Sequence, residues 1–215
     1  MSTLRDISRA IGVLVAAAIL AVVIVVASPA TEPAHEHAVV EHLELAGKRL
    51  VSRTVFDAPN EAPGFQLIDT SGEPLALDDL RGSVVALGFA YTRCPDVCSL
   101  LFAQYLDMQR KVEGIADGSV VLLLVTMDPE WDTAERLAGL TRSLNAKWHY
   151  LSGERSKLEQ VWEHYDIFVT ENEQNVIQHD YKIYLIDRDG NLRVQYGGLM
   201  ATDDMIIDIN ALLEG

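Results

Sequence analysis

Val84-Val85-Ala86-Leu87-Gly88-Phe89-Ala90-Tyr91-Thr92-Arg93-Cys94-Pro95-Asp96-Val97-Cys98 passes from seven nearly all-apolar residues into the only two cysteines of the chain. A run this apolar suits a central strand buried on both faces. The residues beyond Cys98 pattern as a helix: Leu100, Leu101, Tyr105, Leu106, Met108 and Val112 recur at helical spacing, ending at Gly114. The cysteines therefore stand where a strand hands over to a helix, the end of the strand at which function collects in α/β sheets.

Working outward, residues 120–126 read as a second buried strand, and Asp132-Thr133 caps a helix through Leu137, Leu140 and Leu144. Residues 148–151 form a short strand, and Ser156 opens a helix through Val161, Trp162 and Tyr165. On the amino-terminal side, residues 64–69 alternate as a half-buried strand, and a short helical turn stops at Gly82. On the carboxyl-terminal side, a polar stretch over 170–178 precedes a strand at 181–186, which turns back as a hairpin partner at 192–196. Thr202 caps a final helix with Met205, Ile206, Ile207, Ile209 and Leu212 on its apolar side. Strands alternating with helices, then a hairpin and a last helix, predict an α/β protein of thioredoxin-like type, a central mixed sheet flanked by helices.

Residues 10–27, AIGVLVAAAILAVVIVVA, carry no charge and follow Arg5 and Arg9. A bilayer is crossed by about 20 apolar residues, which predicts a single transmembrane signal-anchor over 10–28. Residues 1–9 are then cytoplasmic, because positive residues stay inside. A cleaved signal peptide competes, but its apolar core is usually about 7–15 residues. Residues 29–57 read as a juxtamembrane linker and 58–215 as the folded domain, facing the periplasm from the inner (cytoplasmic) membrane. In that oxidising compartment a cysteine pair becomes a disulfide unless kept reduced or metal-bound. His35, His37 and His42 of the linker have no spacing that fixes a coordination geometry. The formal net charge is −15, which argues against nucleic acid and anionic lipid head groups as partners and admits basic proteins and cations.

Residues i and i+4 share a helix face, so Cys98 lies over Cys94, with Pro95 at the permitted first helical position. The helix N-terminus favours thiolates and predicts lowered thiol pKa values. Soft thiolates select Cu(I), zinc or iron–sulfur clusters. Structural zinc takes four protein ligands and a cluster normally four cysteines, whereas Cu(I) is content with two or three donors. Copper is favoured, with a histidine as third ligand. His179 is the candidate, because it closes the polar stretch ahead of a strand expected beside the cysteine strand. His149 and His164 fall within strand and helix patterns, where packing or solvation explains them. The same thiols also admit a second function, a membrane-anchored thiol–disulfide reductase working without copper. A purely structural bridge closing so short a loop would stabilise little.

Three motifs stand in order: Thr92-x-Cys94-Pro95-x-Val97-Cys98, Val125-Thr126-Met127-Asp128-Pro129-Glu130-x-Asp132-Thr133, and His179 ahead of Tyr184-Leu185-Ile186-Asp187-x-x-Gly190. Over about residues 60–213 the chain resembles the Sco/SenC copper-binding proteins. The resemblance implies copper, as Cu(I) and also Cu(II), on Cys94, Cys98 and His179, and a Cys94–Cys98 disulfide when oxidised. Asp128 and Asp180 would support the ligands rather than bind, a hard carboxylate suiting Cu(I) poorly. It further implies a membrane-anchored copper chaperone that helps assemble the dinuclear copper centre of cytochrome c oxidase subunit II or a similar copper protein. Copper delivery, thiol reduction of the recipient, or both would be involved, with another periplasmic copper chaperone or a thiol reductase as a further partner. Its role is that of a metallochaperone more than an enzyme, with Cys94 and Cys98 as the redox-active pair if reduction is the task. Ser99 stands where the family usually has proline.

Overall fold

The computed structural model describes residues 38–45, 48–58, 60–94, 98–171, 177–198 and 201–215. The chain first forms β1 (Ala38–Leu45) and β2 (Lys48–Phe56), then β3 (Gln66–Ile68) and β4 (Pro74–Ala76). β5 (Val84–Ala90), α1 (Cys98–Lys111), β6 (Val120–Thr126), α2 (Ala134–Ser143), β7 (His149–Leu151) and α3 (Arg155–His164) come next. The remainder is β8 (Val169–Glu171), β9 (Ile177–His179), β10 (Lys182–Ile186), β11 (Leu192–Gly197) and α4 (Thr202–Glu214). Seven strands make one sheet in the order β1-β2-β11-β10-β5-β6-β7, while β3-β4 and β8-β9 are separate two-stranded ribbons. β5, β6 and β7 are parallel, and β10, β11 and β2 continue the sheet antiparallel. This is the thioredoxin-like mixed α/β sheet expected from the sequence.

Every residue of β5 is buried, as its unbroken apolar run requires. In β11 the pattern alternates, with Leu192, Val194 and Tyr196 buried. α1 buries Leu101, Tyr105 and Met108 at helical spacing. The Tyr105 hydroxyl lies 3.1 Å from the carbonyl of Ala86 and 3.2 Å from that of Leu123, fastening the helix to both parallel strands. Gly88 makes room for it: a Cβ there would stand 2.6 Å from the Tyr105 hydroxyl. The β5–β6 register pairs Ala90 with Thr126, so the loops leaving the two strands emerge side by side.

The structure corrects three expectations. No helix among the described residues is long and apolar enough to cross a membrane, and the helix expected over 10–28 lies outside the described residues. Among the described residues the fold is the thioredoxin-like domain, with no transmembrane helix. The membrane-anchored form of both functions, and the single-pass inner-membrane location facing the periplasm, are corrected with it. Second, residues 38–45 and 48–56, read as linker, form a hairpin, and β2 pairs with β11 from Val55–Val194 to Ser52–Gly197. Val51-Ser52-Arg53-Thr54-Val55 is β-branched enough to be a strand, and a long-range ion pair holds it. The Arg53 guanidinium donates to both carboxylate oxygens of Asp208 on α4, through Nε at 2.8 Å, and Tyr196 donates to the same carboxylate. Third, Thr202 is the first residue of α4 rather than its cap, which is Ala201.

Replacing Gly88 by Ala drives a methyl group into the Tyr105 hydroxyl, and overpacking of this kind costs roughly 1–3 kcal/mol. Urea unfolding should show that loss, and should show a smaller one when Gly88→Ala is introduced into Tyr105→Phe, where the opposing oxygen is gone. Equal losses in the two backgrounds would refute the packing account.

Candidate metal centre

β5 delivers Tyr91 to Cys94 at the edge of the sheet, and Cys98 opens α1 among the described residues. The third expected ligand arrives separately. His179 ends β9, opposite Val169 of β8, on a ribbon outside the seven-stranded sheet. One donor atom from each of Cys94, Cys98 and His179 lies within 4.8 Å of the other two, and the Cys98 Sγ to His179 Nε2 distance is 3.8 Å. The structure thus brings together the three residues read from the sequence as ligands. Soft donors about 2.0–2.3 Å from a common ion stand roughly 3.5–4 Å apart in a three-coordinate arrangement, so small side-chain shifts close this triangle on a metal. Both cysteines are free thiols.

The imidazole is prepared for ligation. Its Nδ1 lies 2.8 Å from the carbonyl oxygen of Asp180 and donates to it, which leaves the Nε2 lone pair directed at the sulfurs. Burial lowers the His179 pKa, keeping the ring neutral at pH 7. Asp180 reaches the imidazole through its backbone. Its carboxylate instead accepts from the backbone N–H of Phe168 at 3.2 Å, while its own N–H bonds the Phe168 carbonyl.

The thiol at Cys98 departs from the expectation of a lowered pKa. The side chain is 1% exposed, and burial, with the neighbouring Cys94 thiol as a second cause, pushes its pKa well up. Desolvation of the thiolate outweighs the helix N-terminus. Cys94 is more exposed than Cys98.

Two acids on the segment after β6 hold the cysteine loop. Asp128, 2% exposed, accepts from the Arg93 guanidinium next to Cys94, through Nη2 at 3.2 Å and through Nε. Arg93 also lies 5.0 Å over the ring of Trp131, whose other partner is Arg136 at 3.8 Å. Asp132 is fully buried. It accepts from the backbone N–H of Thr92 at 3.0 Å, from the Thr92 hydroxyl, and from the Thr126 hydroxyl at 2.7 Å. Sequence reasoning took Asp132 for part of a helix cap, but the cap of α2 is Thr133, which accepts from Arg136. The available signal was the position of Asp132 just past a fully apolar strand, where an acid has to find donors.

The SCO1/SenC family profile matches residues 55–214. The chain is 26% identical over 151 residues to the mitochondrial SCO2 homolog of Mus musculus, covering 67% of this chain and 59% of that protein. It is 26% identical over 163 residues to the mitochondrial SCO1 homolog of Homo sapiens, covering 73% of this chain and 52% of that one. The chain thus spans between half and two thirds of these relatives. Among solved structures, Bradyrhizobium japonicum ScoI with copper bound superposes with a TM-score of 0.62 at 26% identity, covering 71% of this chain and 99% of that one.

Removing the Asp132 carboxylate leaves three donors without an acceptor. Asp132→Ala should cost about 3 kcal/mol in urea unfolding, as expected when one partner of a buried charged network is lost, and Asp132→Asn, which keeps an acceptor oxygen, less. Indifference of both variants would refute the anchoring role. The Cys98 thiol offers a second test. Burial favours its neutral form, so in a Cys94→Ser variant thiolate ultraviolet absorbance should not develop near about pH 8.5, where free cysteine ionises, but only at higher pH. An ordinary titration would contradict the burial.

Proposed function

The chain belongs to the SCO1/SenC family, and we propose that it binds copper through Cys94, Cys98 and His179 and passes it to a copper protein. The observation that carries this reading is the convergence of two sulfurs and one neutral imidazole nitrogen within 4.8 Å. That donor set is soft, and among the described residues it has too few members for structural zinc or an iron–sulfur cluster. Copper is cargo here. Loading displaces the proton that burial holds on Cys98, so binding releases protons and strengthens as pH rises. Asp128 and Asp132 act without touching the ion, by holding the residues on the amino-terminal side of Cys94. The recipient we propose is the dinuclear copper centre of cytochrome c oxidase subunit II or a similar site, reached by stepwise exchange of ligands. A further copper chaperone or a thiol reductase would serve upstream.

A second reading has its own observation. Cys94 is the more exposed thiol and Cys98 the buried one, the arrangement of an attacking and a resolving thiol. In that case the pair reduces the recipient's disulfide and ends as a Cys94–Cys98 disulfide, two electrons having passed to the recipient.

Titration of the reduced protein with Cu(I) against a competing chelator separates the two. Copper handling predicts one tightly held ion per chain, at least about tenfold weaker binding in His179→Ala, and loss of tight binding in Cys98→Ser. Weak copper binding indifferent to His179, with rapid turnover of a disulfide substrate, would replace this reading by the reductase.

A further inference from the structure

We infer that Tyr91 is a positioning residue for the metal, setting His179 against the two sulfurs; this rests on the copper reading above. Tyr91 is the first residue beyond β5 and is 1% exposed. Its hydroxyl donates to the carbonyl of Ile177 at 2.8 Å. Ile177 is the first residue of β9 and His179 the last. The same ring meets the imidazole edge-on, with centroids 5.9 Å apart and planes at 78°. One side chain on the cysteine strand thus grips the histidine ribbon at its backbone and abuts the ligand ring itself.

Tyr91 also stands three residues before Cys94, on the segment that leaves β5. The ribbon β8-β9 shares no ladder with the seven-stranded sheet, so Tyr91 supplies a tie to it that no strand pairing provides. A phenylalanine would fill the same buried space and keep the edge-on ring contact. It would free the Ile177 carbonyl and loosen the ribbon, without altering any of the three donor atoms.

The test is a double-mutant cycle. Cu(I) affinity is measured by chelator competition for the full chain, Tyr91→Phe, His179→Ala and the pair. Loss of one buried hydrogen bond corresponds to about tenfold weaker binding in Tyr91→Phe. In the His179→Ala background the same change should have an effect under about twofold, because the group it positions is gone. A general loosening of the fold would weaken both backgrounds alike, and that outcome overturns the proposal. Wild-type affinity in Tyr91→Phe beside a weakened His179→Ala also overturns it and leaves the copper reading standing. Wild-type affinity in His179→Ala removes the histidine from the site, and this inference with it.

Discussion

A carboxylate with no access to water, that of Asp132, is the constraint on which the site depends. Left alone in such a place an ionised acid would be prohibitively costly. Three donors, two from Thr92 and one from Thr126, offset that cost. Burial still raises its pKa against the pull of those hydrogen bonds. Because the donors come from the ends of two neighbouring strands, satisfying the acid also decides where the chain leaves β5. Asp128 repeats the device four residues earlier, holding Arg93. The two residues immediately before Cys94 are thereby each held by an acid from the segment after the adjacent strand, and the sulfur inherits their position.

The electrostatics of Cys98 and His179 derive from depth more than from the helix. A helix N-terminus favours anions by a few tenths to about one kcal/mol near a surface, whereas removing a thiolate from water costs more. Cys98 is thus held as a neutral thiol and His179 as a neutral imidazole. A site without standing negative charge on these groups has little to offer a hard divalent cation such as magnesium or calcium. It favours an ion able to compete with a proton for sulfur. On the copper reading, selectivity would follow from burial.

The sheet core was legible because its strands are continuous apolar runs: β5 and β6 cannot be placed anywhere but the interior. The convergence of Cys94, Cys98 and His179 was legible for a related reason, since the strand-to-helix junction and the stretch before β10 bracket one edge of that sheet. What escaped reading depends on partners far along the chain. Tyr91 bonds a carbonyl 86 residues away, and Arg53 meets Asp208 across 155 residues, so neither the hydroxyl's role nor β2 announces itself locally. Asp132 was misread because a helix cap is a short-range explanation that competes with a tertiary one, and Thr133 next to it does the capping. The depth of Cys98, which reverses the expected direction of its pKa, is likewise a property of packing. Residues 10–28, the clearest hydropathy signal in the chain, lie outside the described residues.

The separate ribbon that carries His179 has a corollary. Sulfur placement belongs to the segment that leaves the central sheet, while nitrogen placement belongs to a separate two-stranded ribbon. On the copper reading, changes in that ribbon would move the nitrogen donor without touching the strand that leads to the sulfurs.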